Sequence, residues 1–252
     1  MTLLALSRVA VGWPGQAAVL SDVTLSVARG ARVGVVGPNG SGKTSLFHTI
    51  AGILAPQDGT VCLSGQPLRK GLFLPEVALV FQQADDQLFC PTLGEDVAFG
   101  ARNLGLSEQE VALRVANALH ACGLTGLEGR PVYQLSGGEK RRACIAGALV
   151  MQPSLLLLDE PSAALDLRSR RRLINLLAGM DQAMLIASHD LELVLELCAW
   201  VIVLDEGRIC AEGPARDVLG DAALMAAHGQ EVPHSLTPHD TARHEHRQQT
   251  RR

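Results

Sequence analysis

The feature that most constrains this chain is one eight-residue run, Gly37-Pro38-Asn39-Gly40-Ser41-Gly42-Lys43-Thr44. It fits G-x-x-x-x-G-K-[ST], a loop whose successive backbone N–H groups curl around phosphate oxygens while the helix behind it adds a favourable dipole. Arg32 to Val36 reads as the strand before the loop and Ser45 to Ala51 as the helix after it. A buried strand must hold such a loop, so an α/β chain with a mainly parallel sheet is expected. Gly37, Asn39, Gly40, Ser41, Gly42 and Ser45 are then candidates to line a phosphate chain. Lys43 should reach the β- and γ-phosphates and the Thr44 hydroxyl should ligate Mg²⁺.

Further core strands are expected at Val77 to Phe81, Leu155 to Leu158, Met184 to Ala187 and Val201 to Leu204. Four leucines in a row suit a strand buried on both faces. The first 30 residues and Thr60 to Leu63 alternate instead and carry turn residues, which predicts an antiparallel edge sheet. Between Phe89 and Met151 the pattern is helical and polar enough for a separate lobe. Ser107 and Glu110 predict a capping box, after which Val111, Val115, Ala118, Leu119 and Cys122 share one helical face. From His228 onward only Val232, Leu236 and Ala242 are apolar, and five of the eight His fall there, so a disordered tail is expected. An inert tail is the simpler reading of those histidines, although imidazole suits nickel, cobalt or zinc.

Composition closes off other classes. Lys plus Arg total 22 against 26 Asp plus Glu, and the resulting −4 charge does not suit a nucleic-acid partner. The longest apolar run is eight residues, Leu197 to Leu204, against the roughly 20 that span a bilayer. The six Cys include no C-x-x-C pair, which points away from a disulfide framework or zinc knuckle. With no secretory signal at the start, a soluble cytoplasmic chain is expected.

Two more segments carry chemistry. Leu155 to Leu158 runs into Asp159-Glu160, where Asp159 at a strand tip can hold Mg²⁺ and Glu160 can polarise an attacking water as general base. Leu135-Ser136-Gly137-Gly138-Glu139 again offers backbone N–H groups and a hydroxyl to an anion ahead of a helix. Two phosphate-cradling segments in one chain make sense when one molecule's Lys43 loop is closed by another molecule's Ser136-Gly137-Gly138.

With these motifs in this order, residues 3 to about 225 resemble the ATPase of ATP-binding-cassette (ABC) transporters. The resemblance implies an α/β fold: a P-loop, RecA-like, mainly parallel sheet with an antiparallel β subdomain and an inserted helical subdomain at about 88–150. The domain would span 1–225, followed by a disordered tail at 226–252. The resemblance assigns ATP and Mg²⁺ as the bound groups and places Trp13 where an aromatic stacks on adenine, with strand-edge packing as the alternative. Gln82 matches a glutamine that senses Mg²⁺ and the γ-phosphate, and Asp166 a loop that crosses between subunits. His189 matches a switch histidine at the γ-phosphate, and Ser136, Gly137, Gly138 and Glu139 the signature of the partner-side phosphate site. Only 93 residues separate Lys43 from Ser136, too few for the coiled coil of the chromosome-maintenance relatives.

Phe81 to Phe89, followed by Glu95-Asp96-Val97-Ala98-Phe99-Gly100, resembles the energy-coupling-factor importers of cobalt, nickel or vitamins. Gln83-Ala84 stands where those more often have Asn-Pro, and Ala199-Trp200 where they have Asp-Arg. The implied partners are a transmembrane coupling subunit, a substrate-binding membrane subunit and a second ATPase subunit, identical or related, at the cytoplasmic face of the membrane. Compactness and the His-bearing tail favour cobalt or nickel over a vitamin. The rivals are a soluble ABC ATPase without a transporter and a nucleotide-gated metal-binding regulator. Beside these motifs, Arg168 and Arg170 to Arg172 read as a solvated helix face. Lys140, Arg141 and Arg142 read either as a surface face or as added positive potential beside the partner-side phosphates.

Overall fold

A computed structural model of the chain describes residues 1–12, 18–68, 71 and 74–237. Trp13 and residues 238–252 lie outside them. In chain order the elements are β1 (Thr2–Gly12), β2 (Ala18–Ala28), β3 (Arg32–Val36), α1 (Lys43–Ile50), β4 (Asp58–Leu63), β5 (Gln66–Pro67) and β6 (Val77–Val80). Then follow α2 (Leu93–Asn103), α3 (Glu108–Ala121), α4 (Gly137–Leu149), β7 (Leu155–Asp159), α5 (Leu167–Ala178) and β8 (Ala183–Ala187). The last are α6 (Leu191–Leu197), β9 (Trp200–Asp205), β10 (Arg208–Pro214), α7 (Ala215–Gly220) and α8 (Ala222–Ala227).

One sheet has the order β10-β9-β3-β8-β7-β6, parallel throughout except for β10. Every residue of β7 and β8 is buried, as their unbroken apolar runs require. Because side chains alternate along a strand, Leu155 and Leu157 enter one core while Leu156 and Leu158 enter another. The first core joins the parallel sheet to Leu46, Phe47 and Ile50 of α1 and to a second sheet, β2-β1-β4-β5, which is antiparallel. The second core carries the remaining helices.

That second core also ties the inserted helical subdomain to the sheet. Leu93, Val97, Ala101 and Leu119 of α2 and α3 share it with Val80, Leu156 and Leu158 of the sheet. The lobe therefore leans on the strands that hold the site. At α3, Ser107 Oγ accepts the Glu110 N–H, but no reciprocal bond returns. Glu110 pairs instead with Arg114 at 2.8 Å, a charged partner one turn on, which outcompetes an exposed N–H. Full capping boxes occur at Thr92/Glu95 and Ser136/Glu139.

The folded body also runs past residue 225. α8 and a turn at His234–Leu236 pack Leu224, Val232 and Leu236 on the helical core. Glu192 accepts the Ser235 N–H and hydroxyl at 3.0 and 2.7 Å, and His228 Nδ1 lies 2.8 Å from Asp205. Three apolar side chains and these polar ties suffice to fix a segment whose composition reads as a tail. β10 is a further addition to the expected strands: it folds back on β9 through Glu206 and Gly207, both at positive φ, the conformation of a tight hairpin turn.

Candidate nucleotide site

β3 delivers the chain into the loop at its C-terminal end, the place where open α/β sheets bind ligands. Gly37 has φ +147°, and a Cβ there would come within 1.9 Å of the Leu204 carbonyl oxygen, so only glycine fits. Gly42, at φ +106°, caps α1 without a side-chain hydrogen bond, leaving the helix N–H groups pointing into the loop. Ser41 Oγ is buried and finds no hydrogen-bond partner. Lys43 is only 8% exposed, and its Nζ donates to the carbonyls of Gly37 and Pro38 at 2.8 Å each. Burial pulls its pKa below the ordinary lysine value, opposed by the charges of Glu160 and Asp159. A fixed ammonium, an unpartnered hydroxyl and an open helix N-terminus together form an anion cradle.

The acid side comes from adjacent parallel strands. β7 and β8 pair Asp159 with Ala187, which sets Glu160 beside Ser188 and His189. Asp159 Oδ2 accepts the Thr44 hydroxyl at 2.8 Å, so a hydroxyl and a carboxylate already meet where a hard divalent cation takes oxygen ligands. This donor pair fits Mg²⁺. Glu160 is nearly buried at φ +45°, a left-handed conformation that costs energy and concentrates at functional positions. Its carboxylate accepts the His189 N–H at 3.1 Å. His189 Nε2 lies 2.8 Å from Asn39 Oδ1 and 3.5 Å from Glu160 Oε1, bridging loop and acid.

One open cavity of about 250 Å³ is lined by Asn39, Gly40, Ser41, Gly42, Lys43, Thr44, Ser45, Gln82, Asp159, Glu160 and His189. Ser136, Gly138, Glu139 and Asp166 do not line it. Gly137 borders a second cavity, of about 300 Å³, which Gln82 also borders. Asp166 caps α5, accepting the Ser169 N–H at 2.7 Å, and that bond holds its carboxyl below the usual range. Trp13 lies outside the described residues.

Sequence reasoning missed Asp190. Burial pushes its carboxyl up, but hydrogen bonds from Arg170 and from the Leu193 N–H outweigh that and leave it low. Arg170 Nη2 donates to it at 2.8 Å and the Ser162 hydroxyl at 3.2 Å, tying the segment before Asp166 to His189. The readable signal was an Asp directly ahead of a leucine-rich helix, an N-cap position. Arg170 is thus no solvated charge, and Arg171 pairs with Glu196.

A phosphate cradle on a parallel sheet with two carboxylates at the tip of β7 defines a P-loop enzyme that binds nucleotide and can activate water. Residues 20–163 match the family model of ABC transporters. The cobalt import ATP-binding protein CbiO of Rhodobacter capsulatus is 44% identical over 239 residues, covering 92% of this chain and 85% of that protein. The energy-coupling factor transporter ATP-binding protein EcfA of Methanothermobacter thermautotrophicus is 39% identical over 239 residues, covering 92% and 77%. Among solved structures, CbiO1 of Clostridium perfringens, part of the ABC transporter complex CbiONQ, aligns with a TM-score of 0.81 at 33% identity, covering 90% of this chain and 94% of that one. The chain belongs to the ABC transporter ATPase family: it binds and hydrolyses ATP.

Proposed function

We propose that this ATPase powers uptake of cobalt or nickel ions through an importer of the energy-coupling-factor type. The likeness to CbiO and to CbiO1 carries the metal reading, and the likeness to EcfA supports the importer type. A surface able to receive membrane subunits lies beside the site. Phe89 and Phe99 are 65% and 46% exposed and stack edge to face at 4.9 Å, on the stretch between Gln82 and Gly100. Buried Asp96 holds Phe89 outward by accepting the N–H groups of Phe89 and Cys90 at 2.9 Å. No helix among the described residues is long and apolar enough to cross a membrane; in this reading partner subunits form the conduit.

In this reading two cassettes close face to face, each Lys43 loop against the other's Ser136-Gly137-Gly138. Lys43 moves from its own carbonyls onto the β- and γ-phosphates and His189 steadies the γ-phosphate. Glu160 orients the water, taking its proton as the new P–O bond forms and the β–γ bridge breaks. Thr44, Asp159 and Gln82 would hold Mg²⁺, which would offset phosphate charge. Closure is driven only so far as ATP binds the closed pair more tightly than the open one.

The test is accumulation of radiolabelled Co²⁺ and Ni²⁺ by cells expressing the chain with the membrane proteins that co-purify with it. Uptake that is lost in Glu160→Gln supports the proposal. Uptake of a vitamin with neither ion moving would favour the vitamin-importer reading, to which the likeness to EcfA also points.

A further inference from the structure

Lys140, Arg141 and Arg142 follow the signature as one basic run, yet the structure gives each a different place. Arg142 donates to the carbonyls of Cys122 and Gly123 at 2.9 and 3.0 Å. Lys140 pairs with the exposed Asp85 at 2.5 Å. Arg141 turns inward and is 4% exposed, the one buried arginine among the described residues. No carboxylate lies within ion-pair distance of it among the described residues. Its Nη1 donates to the Phe81 carbonyl at 2.6 Å and its Nη2 to the Gln82 carbonyl.

A guanidinium buried without a direct ion pair, with the Asp159 and Glu160 carboxylates acting on it only at longer range, loses its hydration and regains only part of it from two carbonyls. An apolar side chain would fill the same volume without that cost. What the arginine adds is geometric, because two fixed carbonyls orient the peptide units on both sides of the Gln82 side chain. That side chain borders both cavities. The rest of the loop is held to the same helix: Gln87 Nε2 donates to the Cys144 carbonyl at 3.4 Å, and the Cys144 thiol faces the Ala84 carbonyl at 3.7 Å. Gln87 Oε1 also accepts the Phe81 N–H, closing the loop on itself at 3.1 Å.

We infer that Arg141 is a positioning residue that makes Gln82 and the Ser136–Glu139 end of α4 one unit. A phosphate bound at α4 from the facing cassette is then felt at Gln82 in the chain's own site without any rearrangement between them. The inference rests on the proposed roles of Gln82 and of paired cassettes.

A double-mutant cycle on the full-length chain tests it. Arg141→Met should lower kcat roughly tenfold, the scale of a lost hydrogen bond to a charged group, with KM for ATP within about twofold because the Lys43 loop is untouched. In a Gln82→Ala background the same change should lower kcat by less than about twofold, since residues acting through one another are not additive. Without nucleotide, amide exchange across 81–87 should rise about tenfold in Arg141→Met while 37–44 stays unchanged. Multiplying losses in the cycle, or unchanged exchange across 81–87, would overturn the role of Arg141. A wild-type rate in Gln82→Ala alone would overturn instead the reading of Gln82 on which it rests. Arg141→Lys, which keeps the charge and can reach one carbonyl, runs the same cycle if the Met variant does not fold.

Discussion

α1 and α4 both start on glycine-rich turns that offer backbone N–H groups, yet they are finished in opposite ways. α1 begins at Gly42 with no side-chain cap and no acidic residue in its first turn. α4 begins with a complete internal cap: Glu139 accepts the Ser136 N–H and hydroxyl at 2.8 Å each, and Ser136 Oγ accepts the Glu139 N–H. Those bonds from Ser136, with help from Arg130, hold the Glu139 carboxyl below its usual range, so the end of α4 carries a settled negative charge. The open end can take phosphate alone, and its chain supplies the lysine and carboxylates around it. At the closed end Ser136 can meet an anion only by giving up its bonds to Glu139, which suits a surface that engages late, when a second molecule arrives.

The difference can be broken at the open end first. Glu160→Gln should retain ATP binding and lose roughly 10²–10⁴ in turnover, as removal of a general base does. Near-wild-type turnover in single-turnover hydrolysis would remove Glu160 from that role. Lys43→Ala should weaken ATP binding by roughly a hundredfold, because charge-assisted bonds to phosphate are lost. Calorimetric affinity within a few-fold of wild type would mean that the backbone cradle alone suffices. At the closed end the expected effects are smaller. Glu139→Gln preserves the capping box while removing the charge, and should tighten ATP-driven pairing about two- to fivefold, the scale of one charge at a helix terminus. The ATP affinity of a single chain should not change. Equal pairing in the variant would place Glu139 away from the phosphates.

The open end was the legible one. Its loop, strand and acidic strand tip follow from contiguous residues: Gly37 to Thr44 and Leu155 to Glu160 each carry their chemistry in one stretch. What sequence could not supply was contact across the fold. Asn39 reaching His189 spans 150 residues, and Arg170 reaching Asp190 spans 20. The basic run at Lys140 to Arg142 read as one face because three neighbouring positions on a helix point in three directions, which only the packed partners distinguish. The end of the folded body was misplaced for a related reason. Its polar composition hid the few apolar contacts of Leu224, Val232 and Leu236.

Association tests most directly whether these two helix ends belong to one site in two molecules. Light scattering of the full-length Glu160→Gln chain should report one chain without nucleotide and two with saturating Mg-ATP, and Gly137→Asp should abolish the doubling without altering ATP binding. A chain that saturates with ATP and keeps the mass of a single molecule would contradict the account.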